Sequence, residues 1–172
     1  MDDLGDISIE RLYIELERLK EKVRGDSKAM HNLHASKGLI RSGQTIAAEV
    51  ENGKSAFFAF RDTCIQQLQV MSDEAVILTE ASVTKVKTSI SNMFTELYSV
   101  TFETMTKSCE LSTKPELLET FMPQIENEMN NTLIEVNLFI SERVIAKRNK
   151  SIKNIFKTIF GGIKKLLMPG AG

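Results

Sequence analysis

Apolar positions recur along this chain at steps of three and four, the period that lines one face of an α-helix. Ile9, Leu12, Leu16, Leu19 and Val23 open the pattern. Glu10, Arg11, Glu15, Glu17, Arg18, Lys20 and Glu21 fill the positions between with opposite charges three and four residues apart. Gly25-Asp26 reads as a stop and Ser27 as the start of another helix. Residues 27–53 carry a weaker pattern (Met30, Leu33, Leu39, Ile40, Ile46, Ala47, Val50), interrupted by Gly38, Gly43 and Gly53. From Ala56 the rhythm strengthens through Phe57, Cys64, Leu68, Met71, Ala75 and Leu78, and Val86, Ile90, Met93, Leu97 and Val100 continue it. Ser72 followed by Asp73 and Glu74 has the form of a helix start, a capping residue with acids behind it.

Two stretches also alternate with the strand period of two: Tyr98, Val100 and Phe102, then Ile134, Val136, Leu138 and Ile140. Both fit a helix as well, through Phe94, Leu97, Thr101, Phe102 and Met105, and through Ile125, Met129, Leu133, Val136, Ile140 and Val144. Turn residues are scarce around them, so helix is expected in both places. Thr113-Lys114-Pro115-Glu116 predicts a helix entry with Thr113 as N-cap, and Pro123 should kink or divide that helix. The fold class that results is all-α: an antiparallel bundle of four to six helices over residues 1–148, with a basic amphipathic helix and short tail over 149–172.

That last segment has the sharpest pattern. At about 100° per residue, Ile152, Ile155, Phe156, Ile159, Phe160, Ile163, Leu166 and Leu167 gather into an arc roughly 140° wide. Lys150, Lys153, Lys157, Lys164 and Lys165 lie off the arc, and no acid follows Glu142. Gly161-Gly162 projects away from the centre of the arc and reads as a flexible joint.

Charge makes the division sharper. The net charge is −1, yet residues 143–172 hold eight basic and no acidic side chains, which leaves −9 on the part before them. Apolar residues at 42% and charged residues at 26% are ordinary for a folded domain, and 172 residues can bury a core without a metal or disulfide. Nine glycines and three prolines are too few for a many-stranded sandwich. Cys64 and Cys109 fall within apolar helical patterns and lack metal or redox spacing, so buried, reduced thiols are expected. The acidic start MDDLGDISIE is unlike a secretory signal, and no apolar run reaches membrane-spanning length. A cytoplasmic protein, peripheral on a membrane at most, is the expectation.

Candidate chemistry is thin. AEVENGKS, Ala48 to Ser55, fits a loose phosphate-loop pattern in which Lys54 would reach phosphate and Ser55 would hold Mg²⁺. Its flank is helix-like where a strand is needed, its first glycine is Ala48, and no acidic strand end comes after it, so Asn52-Gly53 is expected to close one helix and Lys54 to begin the next. His31 and His34 stand three apart without a carboxylate motif and read as surface polar residues. No catalytic constellation emerges, and the expectation is a non-enzyme without cofactor.

The basic arc then carries the functional reading. Peripheral attachment to an anionic membrane comes first, because lysines opposite Ile, Leu and Phe suit a helix lying in the interface. Docking on a helical protein partner or on another copy of the chain, as a homo-oligomer or adaptor, comes second. A plain structural helix completing the bundle comes third. Nucleic acid is disfavoured, since arginine is scarce and the aromatics sit within the apolar arc.

Overall fold

In the computed structural model the backbone is described for residues 3–74 and 79–167, and side chains for residues 6–73 and 79–150. Four long helices make up the described chain: α1 (Asp3–Ser36), α2 (Gly43–Glu74), α3 (Glu80–Leu111) and α4 (Leu117–Leu167). Both stretches that alternate with period two are helical, within α3 and α4. Polar cross-links between the helices set an up-down-up-down order. Asn52 of α2 donates to the Val23 carbonyl of α1, Arg24 of α1 pairs with Glu103 of α3 at 3.1 Å, and Arg61 of α2 pairs with Glu135 of α4 at 2.8 Å. α1 packs on α2 and α3, and α4 packs on the same two from the other side. Among the described residues α1 and α4 are not in contact, so α2 and α3 meet across the short diagonal.

The amphipathic stripes supply the core. Leu12, Leu16 and Val23 of α1 share one buried core with Ile46, Val50, Phe57 and Phe60 of α2, Met93, Phe94 and Leu97 of α3, and Ile125 and Val136 of α4. Phe94 stands between Phe57, 6.4 Å away and stacked, and Phe60, 5.1 Å away and tilted. Such ring pairs add about 0.5–1.5 kcal/mol each beyond their burial. Cys64 and Cys109 are buried free thiols, both pushed up in pKa chiefly by burial.

The helix ends differ from the sequence expectation in four places. α1 runs through Gly25, because Val23 and Ser27 on either side are buried and packing outweighs the roughly 1 kcal/mol that an interior glycine costs. Its end comes at Ser36, where Gly38 takes φ +69° and the Leu39 and Gly38 amides donate to the His34 and Ala35 carbonyls. α2 runs unbroken through Asn52-Gly53, and Ser72 is buried near the end of α2 instead of opening a helix. The start of α3 is capped by Thr79, which accepts from the Ser82 amide at 3.2 Å, with Glu80 in the first turn.

Thr113 is not an N-cap. It sits at φ 57°, and its amide and that of Lys114 donate to the Glu110 and Cys109 carbonyls, closing α3 as Gly38 closes α1. α4 therefore starts at Leu117, and it passes Pro123 without dividing. No described helix is long and apolar enough to cross a membrane.

Candidate functional site

α4 stays helical to Leu167, so Ile152, Ile155, Phe156, Ile159, Phe160, Ile163, Leu166, Leu167, Lys153, Lys157, Lys164 and Lys165 all occupy one continuous helix with the bundle segment. Their side chains lie outside the described residues, as do those of Ala75 and Leu78. Lys150 is described and exposed. Arg148 pairs with Glu80 at 2.8 Å, which brings α4 level with the first residue of α3. On the bundle segment Val136 is buried, while Ile134, Leu138 and Ile145 on the other side of α4 are 55%, 58% and 59% exposed.

The structure assembles a second place that the sequence reading missed. Glu49 is fully buried, although it stands in the apolar rhythm of α2 between Ile46 and Val50. Its Oε2 accepts from Ser27 Oγ at 2.7 Å and Ser108 Oγ at 3.1 Å, and its Oε1 accepts from Asn52 Nδ2 at 3.2 Å. Three helices thus satisfy one carboxylate, as a buried charge requires. Ser108 spends its proton on Glu49, so its oxygen accepts from His31 Nε2, 2.7 Å away. His31 is 7% exposed, contrary to the expectation of a surface residue. Burial lowers its pKa first of all; the charges of Lys107 and His34 lower it further, and Glu49 opposes them. His34 is half-buried and held by Thr45, whose hydroxyl donates to the Leu39 carbonyl and accepts from His34 Nδ1 at 2.8 Å.

His31 lies on the floor of a groove of about 510 Å³ between α1 and α3. Arg24, Lys28, Glu103 and Lys107 stand around one part of it, and Ala35, Ile40 and Leu111 line the end beside the 37–42 turn. Ser112 Oγ donates to the Ile40 carbonyl at 3.1 Å and ties that turn to the one after α3. The signal available in the sequence was polar residues at core phase: Ser27 and His31 one turn apart on α1, Glu49 on α2, Ser108 on α3.

The Ala48–Ser55 segment is interior helix, so its amides are spent on the helix ladder. Lys54 pairs with Glu51 at 3.3 Å, and Asp26 and Glu51 line the groove beside it. Gly53 serves packing. A Cβ there would stand closer than 3.0 Å to Thr101 Cγ2 of α3, so the missing side chain lets α2 and α3 approach.

No protein-family model, curated protein or solved structure matches this chain.

Proposed function

We propose that this protein is a non-enzymatic interaction module that attaches to anionic membrane surfaces through the distal part of α4. One observation carries the reading: the apolar side of α4 changes over where the bundle ends. Val136 faces the core, and heptad steps from it reach Arg143, Lys150, Lys157 and Lys164. Leu138 and Ile145 face away from the core, and heptad steps from them reach Ile152, Ile159 and Leu166. Seven residues fall about 20° short of two turns, so both rows drift together and stay on opposite sides of the helix. The distal apolar row is therefore out of phase with the core by roughly half a turn, and extending the core does not account for it.

A membrane interface suits both rows. Eight large apolar side chains, each half inserted at about 0.75–1.5 kcal/mol, supply roughly 6–12 kcal/mol gross. Each lysine near anionic lipid adds about 1 kcal/mol. Interior glycines at 161 and 162 oppose this by about 2 kcal/mol together. The heptad spacing from Leu138 to Leu166 favours a second reading, a helical protein partner seated along the same row.

Flotation of the full chain with liposomes, with and without anionic lipid, separates the two. Attachment should need anionic lipid, weaken with added salt, and vanish in Ile159→Glu while the bundle's melting is unchanged. Replacing Lys153, Lys157, Lys164 and Lys165 by Gln should weaken it in the same way as salt. A folded preparation that does not float with anionic liposomes overturns the membrane reading. Concentration-dependent self-association lost in Ile159→Glu would then support the helical partner.

A further inference from the structure

We infer that the α1–α3 groove binds a small organic oxyanion, its charged head between Lys28, His31 and Lys107 and its short apolar body toward Ala35, Ile40 and Leu111. The groove is at the end of the bundle marked by the 37–42 turn, remote from the Arg148–Glu80 pair, so this site is independent of the distal part of α4.

Charge selects the sign of the ligand. Arg24 and Glu103 pair with each other at 3.1 Å and cancel. Lys28 and Lys107 line the groove and enter no ion pair among the described residues, which leaves it positive on a bundle whose sequence before residue 143 carries −9. Both lysines are exposed at their own positions, whereas His31 beneath them is buried. Concavity strengthens the field of the two cations there.

The hydrogen bonds select how the head is held. The chain from His31 Nε2 through Ser108 to Glu49 is closed at its inner end, because Glu49 has all its donors from Ser27, Ser108 and Asn52. Nδ1 is the ring nitrogen left for a ligand. An oxyanion beside it adds a negative charge to set against Lys107 and His34, and so favours a proton on Nδ1 donated to the anion. His31 then stands between that anion outside and Glu49 behind it, 3.9 Å from Nε2. Arg24, Lys28 and His34 on α1, Glu49 on α2, and Glu103 and Lys107 on α3 are the charged or titratable groups around this ring. Binding takes up a proton from solvent, so affinity rises as pH falls. Ala35, Ile40 and Leu111 define the body of the ligand: a few carbons, uncharged.

The test titrates the full chain with hexanoate, hexyl phosphate, inorganic phosphate and hexanol while following the His31 ring signals by NMR. Hexanoate or hexyl phosphate should move them saturably, and inorganic phosphate should bind at least about tenfold more weakly. Which hexyl anion binds tighter distinguishes a carboxylate ligand from a phosphate ester. The Lys28→Gln, Lys107→Gln double variant changes only exposed side chains and should weaken the better anion at least about tenfold. Lowering the pH from about 7.5 to about 6 should tighten binding in the native chain. Absence of saturable movement with either hexyl anion overturns the site. Hexanol binding as well as the anions, or the lysine variant binding like the native chain, overturns the assignment of the head.

Discussion

Gly53→Ala puts the packing account of the GKS segment to a quantitative test. Within a helix, alanine is favoured over glycine by about 1 kcal/mol, so helix propensity alone would stabilise the variant. The new Cβ meets Thr101 Cγ2 closer than 3.0 Å, and Thr101 is fully buried with its hydroxyl bonded to the Leu97 carbonyl at 3.1 Å. A β-branched side chain held in this way cannot rotate clear, so α2 and α3 must separate. Overpacking of this kind costs about 1–3 kcal/mol. The propensity gain leaves a net loss of up to about 2 kcal/mol, near 2–4 °C in Tm for each kcal/mol at this chain length. Thr101→Ser removes the methyl and keeps the hydroxyl. Alone it should cost about 1 kcal/mol, and combined with Gly53→Ala it should recover most of the loss, a coupling of more than about 1 kcal/mol. Urea denaturation of the four proteins, followed by far-UV circular dichroism, reads the cycle. A Gly53→Ala protein more stable than the native one, or strictly additive changes, would refute the close approach of α2 and α3 at this point.

Three further outcomes rest on particular residues. Thr113→Gly should stabilise by about 1 kcal/mol, because a left-handed backbone costs a β-branched residue about 1–2 kcal/mol and the Thr113 hydroxyl returns only a local bond to the Ser112 carbonyl; a lower Tm would contradict the strained cap. Leu16 is fully buried, so Leu16→Ala should cost about 2–5 kcal/mol in urea denaturation, and a loss under about 0.5 kcal/mol would contradict its place in the core. Folding lowers the His31 pKa from its ordinary 6.5, so the neutral ring contributes stability that is complete above pH 6.5 and lost as pH falls through the lower folded value. Chemical denaturation across that range should show a steeper acid loss in the native chain than in His31→Gln, and parallel curves would count against it.

What the sequence revealed and what it hid have physical reasons. The stripe Ile9, Leu12, Leu16, Leu19, Val23 is buried or partly buried as its spacing predicts, since burial of one helix face is what creates the spacing. Helix ends were harder to place. Gly25, Gly38 and Gly53 look alike in one dimension; only Gly38 has the left-handed backbone that ends a helix, and the other two are carried through by packing of α1 and α2. Ser72-Asp73 has the form of a helix start in the sequence, but Ser72 is buried near the end of α2 and the cap of α3 is Thr79. The distal arc of α4 rests on the sequence pattern, since its side chains lie outside the described residues. The network around Glu49 was not legible in the pattern, because its members come from three helices and only the fold brings them together.

The rhombic arrangement of the bundle carries a consequence for how it opens. α2 and α3 each touch three other helices, whereas α1 and α4 each touch two and, among the described residues, are not in contact with one another. Either outer helix can therefore lift away from the α2–α3 pair without disturbing the other, and the two openings have separate free energies. Backbone amides near Phe57, Phe60 and Phe94 should exchange with solvent only through global unfolding, while those of the outer helices exchange through the smaller openings. A load applied to the distal end of α4 then reaches α1 only by way of α2 and α3, so the Glu49 network, held by α1, α2 and α3, can stay intact while α4 moves.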